Sequence, residues 1–209
     1  MKKLFLTSFA SVSLDLIKEL LLKPASESKV AFIKTAADPY EDQSFVEADR
    51  NKLIEMGFAV KDVDLKNKSL VELEEDFKNI DLILMAGGNT FYLLDHIRKS
   101  GFDQLLPRLL NNGLIYIGSS AGSIVCCPTI ESARKFDDPN EVPNLKNFEG
   151  LNLFNQAIIP HSQKEKYAER IKETIKEMSQ KGLEVVTLTD NEAVLINDDE
   201  VKKVTVSQE

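Results

Sequence analysis

Short runs of apolar and β-branched residues alternate along this chain with longer stretches in which apolar side chains recur every three or four positions. The runs are strand-sized, and the stretches between them have the period of a helix with one buried face. Such alternation restricts the fold strongly, because strands joined through helices run parallel and need helices on both faces of their sheet. The pattern puts strands at 3–8, 29–35, 59–64, 81–86, 114–118, 157–160, 183–188, 193–197 and 201–206. Helices are expected at 12–23, 41–56, 69–77, 90–99, 102–111, 121–127 and 164–181. Only Asp190-Asn191 and Asn197-Asp198-Asp199-Glu200 separate the last three strands, which is too little for a crossover, so the sheet is expected to finish as an antiparallel hairpin or meander. The expected class is α/β, a three-layer sandwich around a mostly parallel sheet.

At 209 residues, with 43% hydrophobic, the chain is long enough for one substantial core, and 1–209 is read as a single domain. Against 34 acidic residues stand 26 basic ones, and the net charge of −8 disfavours nucleic acid and anionic membranes as partners. A short peptide or another small molecule is the expected partner. Cys126 and Cys127 are adjacent, which suits neither a disulfide nor a zinc pattern, and they read as packing residues in a reducing cytoplasm. The start, Met1-Lys2-Lys3-Leu4, imitates a signal peptide. Thr7, Ser8, Ser11, Asp15 and Lys18 interrupt it where an apolar region should continue, and no run reaches transmembrane length.

Ligands of open α/β sheets bind beyond the carboxyl ends of the strands. Three such ends carry chemistry here. Gly118-Ser119-Ser120-Ala121-Gly122 follows the run Leu114-Ile115-Tyr116-Ile117 and has the G-x-S-x-G spacing of a nucleophile elbow, in which flanking glycines let a serine sit on a sharp strand-to-helix turn. His161 ends the strand at Ile158-Ile159-Pro160 and is the candidate base for Ser120. The other histidine, His96, falls to one side of the buried stripe Leu93, Leu94, Ile97. Glu192, at a tight strand junction, is the leading candidate to orient the imidazole, and Asp137, Asp138 and Asp190 compete with it. Gly87-Gly88-Asn89-Thr90 opens a helix, with Asn89 or Thr90 as its cap and unhindered amides as oxyanion donors. No lysine follows in P-loop register and no G-x-G-x-x-G occurs, which argues against a nucleotide.

Together these residues resemble the peptidase E family of serine peptidases, the aspartyl dipeptidases, and more distantly the cyanophycinases. The likeness spans most of the chain and is carried by Ala86 to Phe91 with Leu93-Leu94, by Gly118 to Gly122 followed by Cys127-Pro128-Thr129-Ile130, and by Pro160-His161. It implies a fold similar to class I glutamine amidotransferases and a Ser-His-Glu triad on Ser120, His161 and Glu192, with oxyanion donors on the amides of Gly88 and Ala121 and no cofactor or metal. An aspartate in the loop after Ile130 is the rival acid. The sequence departs from the family pattern at Ser119, where a tryptophan often stands, and beyond His161, where Arg170 is the candidate counterpart of a substrate-binding arginine. Strict cleavage after aspartate is therefore not expected. The expected activity is hydrolysis of dipeptides or very short peptides through an acyl-enzyme. The rival readings are an amidase or esterase acting on another acyl substrate, and a catalytically silent binding protein.

Overall fold

A computed structural model describes residues 2–206. In chain order the elements are β1 (Lys3–Thr7), α1 (Ala10–Ser13), β2 (Lys29–Ile33), α2 (Ser44–Glu55), β3 (Ala59–Asp62), α3 (Leu70–Asp76), β4 (Leu82–Met85), α4 (Thr90–Lys99) and α5 (Phe102–Asn111). There follow β5 (Ile115–Ser119), α6 (Ala121–Ile124), β6 (Ala157–Ile159), α7 (Ala168–Gln180), β7 (Val185–Thr187), β8 (Glu192–Asn197) and β9 (Glu200–Thr205). Seven strands form one sheet in the order β3-β2-β4-β5-β1-β8-β9. The first five are parallel, with Leu4 beside Tyr116 and Leu84 beside Ile117. β8 runs antiparallel to β1, placing Leu4 opposite Ile196, and β9 returns along β8 as a hairpin.

The period-two alternation of a strand divides its side chains between two cores. Leu4, Leu6, Ile83, Met85 and Tyr116 meet Leu73 of α3, Phe91 and Leu94 of α4, and Phe102 and Leu106 of α5. On the other face Phe5, Phe32, Leu84 and Ile117 pack with Leu14, Ile17 and, from α2, Val46 and Leu53. Each large side chain taken out of water here contributes about 1.5–3 kcal/mol. The strands that carry such residues on both faces must lie inside the sheet.

Two elements differ from the sequence expectation. The helix expected at 12–23 is the short α1 followed by a 3-10 helix, Leu14–Glu19. Leu14, Ile17 and Leu20 are all buried, and their spacing of three suits the three-residue turn of a 3-10 helix. Ser13 Oγ also donates to the Phe9 carbonyl, one of the local bonds with which serine competes against regular helix. The second difference is β7, which joins neither a hairpin nor a meander with β8. It pairs in parallel with β6 in a separate two-stranded sheet. Ala193, Val194, Leu195 and Ile196 of β8 are all buried, and a place beside β1 covers both faces of that run. The expected antiparallel finish is thus confined to β8 and β9.

Candidate active site

Ser120 stands between β5 and α6 with φ 49° and ψ −105°, a left-handed backbone that a serine rarely adopts. Its surroundings explain how the turn is held. The Ser120 amide donates to the Thr7 carbonyl at the end of β1 (3.0 Å), and Ser123 Oγ shares its one hydrogen between the carbonyls of Thr7 and Gly118, each at 2.7 Å. The buried Tyr116 hydroxyl donates to the Gly122 carbonyl at 2.7 Å. The glycines are demanded by space: a Cβ at Gly122 would lie 2.0 Å from the Met85 carbonyl oxygen, and one at Gly118 would lie 2.5 Å from that of Gly122. Gly88, with φ +140°, passes so near Ala36 that a Cβ would fall 2.1 Å from its carbonyl oxygen. Asn89 caps α4, its side-chain oxygen accepting from the Tyr92 amide at 2.9 Å.

His161 follows β6 and also has a positive φ, 58°. Its Nε2 is 3.2 Å from Ser120 Oγ, and its Nδ1 is 2.5 Å from Asp190 Oδ1. Ser8, the residue after β1, accepts from the His161 amide at 2.8 Å and donates to Asp190 Oδ1 at 2.8 Å. Burial works to raise the Asp190 carboxyl, but the hydrogen bonds from His161 and Ser8 and the charge of Lys164 outweigh it and hold the group at about 2. It is an anion at neutral pH. Lys164 Nζ stands 3.8 Å from Asp190 Oδ2 and 3.4 Å from His161 Nδ1.

Ser120 and His161 are therefore brought together as the sequence implies, but Glu192 is not the carboxylate on the far ring nitrogen. Glu192 Oε2 accepts from the Thr189 amide at 2.8 Å, and Oε1 pairs with Lys203 at 2.9 Å. Those partners outweigh the burial that would raise its carboxyl and keep it below its usual range. The physical reason lies in the turn. Glu192 is the first residue of β8, and its carboxylate closes back on Thr189, leaving Asp190 at the tip to face His161. Asp190 was among the competing acids. Of the others, Asp137 Oδ2 accepts from the amide and hydroxyl of Thr90 at 2.9 and 2.6 Å, and Asp138 caps the turn at Asn140.

Arg170 is also displaced from its expected role. It lies on α7 and donates to the Lys135 carbonyl at 3.3 Å, while Lys135 itself pairs with Glu173 and Glu177. Arg134 lies over the Phe148 ring and Lys166 over that of Tyr167. His96 stacks on Tyr92 with ring centroids 4.4 Å apart.

A cavity of about 420 Å³ opens over Ser120 and His161, walled by Phe9, Phe45, Ile124 and Phe136, with Tyr40 and Tyr167 adding hydroxyls. Gly87 and Gly88 bring bare backbone to it. Its charged lining is Asp49, Asp137 and Lys164, the last being the lone lysine or arginine among the described lining residues. Burial pushes the Asp49 carboxyl up to about 6, although it accepts from the Ser11 amide at 2.7 Å. The Asp137 carboxyl is raised by burial as well. Ser8 and Asp49 were missed as site residues. Ser8 could have been found by the rule that picked out His161, since it too ends a strand; Asp49 lies within a helix and leaves no such signal.

An α/β fold with a serine turn of this kind fits a hydrolase, and the sequence profile of Peptidase family S51 matches residues 4–204. The chain belongs to peptidase family S51. It is 31% identical over 201 residues to an uncharacterized peptidase of Listeria monocytogenes, covering 96% of this chain and 97% of the relative. It is 33% identical over 139 residues to peptidase E of a Nostoc species, covering 66% of this chain and 53% of that protein. A crystal structure of a Listeria monocytogenes protein assigned as a peptidase E superposes with a TM-score of 0.91 at 30% identity, over 99% of this chain and all of the other. None of the described helices is long and apolar enough to cross a membrane.

Proposed function

We propose that the chain is a serine peptidase of dipeptides and very short peptides, acting through Ser120, His161 and Asp190. The observation that carries the reading is the unbroken relay from Ser120 Oγ through His161 Nε2 and Nδ1 to Asp190, set at the floor of a cavity in a member of a peptidase family. Asp190 accepts a hydrogen bond from the Nδ1–H, which leaves the Nε2 lone pair free to take the proton of Ser120. Ser120 then attacks the peptide carbonyl. The amides of Gly88 and Ala121 stabilise the negative oxygen, and His161 passes its proton to the leaving amine. Water, activated by the same imidazole, releases the acyl group.

The cavity also bears on which peptide is accepted. An acidic side chain moved out of water needs a cation, since an unpaired carboxylate there costs several kcal/mol. Lys164 is already engaged with Asp190, and Asp49 and Asp137 add negative charge to the wall. A small or apolar amino-terminal residue suits this lining better than aspartate. A panel of dipeptides, with Ser120→Ala as the blank, tests both points. Release of free amino acids by the parent alone is expected, with kcat/KM higher for Ala-Leu than for Asp-Leu. Hydrolysis that persists in Ser120→Ala would remove the mechanism, and a hundredfold preference for Asp-Leu would remove the specificity.

A further inference from the structure

Ser8 is fully buried at the carboxyl end of β1, the strand between β5 and β8. Its hydroxyl joins two parts of the site that come from distant stretches of chain, 153 residues away at His161 and 182 away at Asp190. A backbone N–H can only donate, so Ser8 Oγ accepts from the His161 amide; its single hydrogen has two acceptors within reach, Asp190 Oδ1 at 2.8 Å and His161 Nδ1 at 3.2 Å, and the nearer one, an anion that can only accept, takes it. That same carboxylate oxygen meets His161 Nδ1. With both donors on one oxygen, the site favours an ionised Asp190 and a proton on Nδ1, so the Nε2 lone pair faces Ser120. The His161 backbone, held at a positive φ that histidine seldom adopts, is anchored by the same hydroxyl.

Resting on the serine-peptidase reading above, the geometry points to Ser8 as a positioning residue that fixes the tautomer and orientation of His161 through Asp190 and the His161 amide. It touches neither the nucleophile nor the carbonyl under attack. Other charged groups facing the imidazole are Lys164, from the segment after His161, and Asp137, whose charge acts on it from the loop after α6. Lys164 also reaches both the imidazole and its carboxylate, but at 3.4 and 3.8 Å and from a side chain 38% exposed, against the 2.8 Å bonds of the buried Ser8; Asp137 bonds to Thr90 instead.

Three variants test this: Ser8→Ala, Ser8→Thr and Ser8→Ala combined with Asp190→Ala. Groups in such supporting positions are worth on the order of 10–100-fold. Ser8→Ala is expected to lower kcat by that factor with KM nearly unchanged, and Ser8→Thr, which keeps the hydroxyl, to recover most of it. In the Asp190→Ala background the same change should cost several-fold less than in the parent, because the route through the carboxylate is gone and only the bond to the His161 amide remains. Equal losses in both backgrounds, or a rise in KM at constant kcat, would overturn the proposal. Proton NMR of the folded protein gives a readout independent of hydrolysis. The Nδ1 proton of His161 should give a downfield resonance in the parent and in Ser120→Ala, and lose or broaden it in Ser8→Ala. A resonance unaltered in Ser8→Ala refutes the role of Ser8, whereas peptidase activity surviving in Ser120→Ala refutes only the serine mechanism. Should Ser8→Ala fail to fold, Ser8→Cys, a near-isosteric weaker donor, must give an intermediate kcat and resonance; parental values there refute the role equally.

Discussion

Replacing Asp190 with asparagine separates the two carboxylates at the β8 turn. Asparagine keeps the shape but can offer its NH2 to His161 Nδ1, which favours the tautomer with Nε2 protonated and unable to accept from Ser120. For a buried carboxylate on a catalytic histidine that exchange costs on the order of 10³–10⁴ in kcat, or roughly 4–5.5 kcal/mol in the barrier. Stability changes less. The Asp190 carboxyl sits at about 2 against an ordinary 3.8, a difference of about 2 kcal/mol. Because the folded value is depressed, this stabilisation is present above pH ~4 and is lost as pH falls towards 2. At neutral pH the variant is therefore weakened but folded, and the loss of kcat exceeds anything an unfolded fraction could produce. Glu192→Gln retains its bond to the Thr189 amide and loses the charge pairing with Lys203, which is 43% exposed at its side chain. Such a pair is worth about 1 kcal/mol at most, and kcat should stay within about threefold of the parent. Steady-state hydrolysis of Ala-Leu by both variants, with thermal melts alongside, decides the matter. A collapse of kcat in Glu192→Gln with near-parental rates in Asp190→Asn would refute the assignment of Asp190.

Ser120→Ala and His161→Ala should each lower turnover by several orders of magnitude, and the double variant should be little worse than either; additive losses in single-turnover kinetics would mean that the two do not act as a unit. Arg170→Ala should leave kcat/KM for both Ala-Leu and Asp-Leu unchanged, since its guanidinium lies on Lys135 outside the cavity. Asp49→Asn should stabilise the protein at neutral pH by up to about 3 kcal/mol, because the buried carboxyl is raised to about 6 and must ionise at a cost. The folded state holds that proton to higher pH than the unfolded chain does, so parental stability falls as pH rises from about 4 to 6, and denaturation below that window should show no gain. Gly122→Ala should destabilise the elbow by more than about 3 kcal/mol, since its Cβ would meet backbone that cannot swing aside; a parental melting temperature would contradict this.

The apolar runs made the sheet legible because strands buried on both faces, such as Leu82–Met85, leave no polar interruption to confuse them. Ser120 was legible for a related reason. Its flanking glycines are required because a Cβ on either would fall 2.0–2.5 Å from a backbone carbonyl oxygen, and so the constraint is written into local spacing. The pairing of β7 with β6 was not, because short strands with interchangeable apolar residues do not encode their neighbours. Which carboxylate meets His161 was not legible within its four-residue turn. Thr189-Asp190-Asn191-Glu192 holds two carboxylates two positions apart, and which one faces inward depends on Glu192 bonding back to Thr189 and on Lys203 arriving from β9. That information sits on another strand. Arg170 failed similarly, because its direction depends on how α7 packs through Ile171, Thr174 and Met178.

The place of β1 between β5 and β8 has a consequence for the order of synthesis. β1 is made before the other described elements, yet its neighbours are residues 115–119 and 192–197, and the Thr7 carbonyl that holds the Ser120 turn waits for the first of them. Contacts this distant in sequence form late and slow the search for the native state. A chain still growing on the ribosome has neither Asp190 in place nor β8 to seat its turn. If the proposed relay is the working one, the growing chain cannot cleave peptides until nearly all of these residues have been made, and its activity begins with the closing of the sheet.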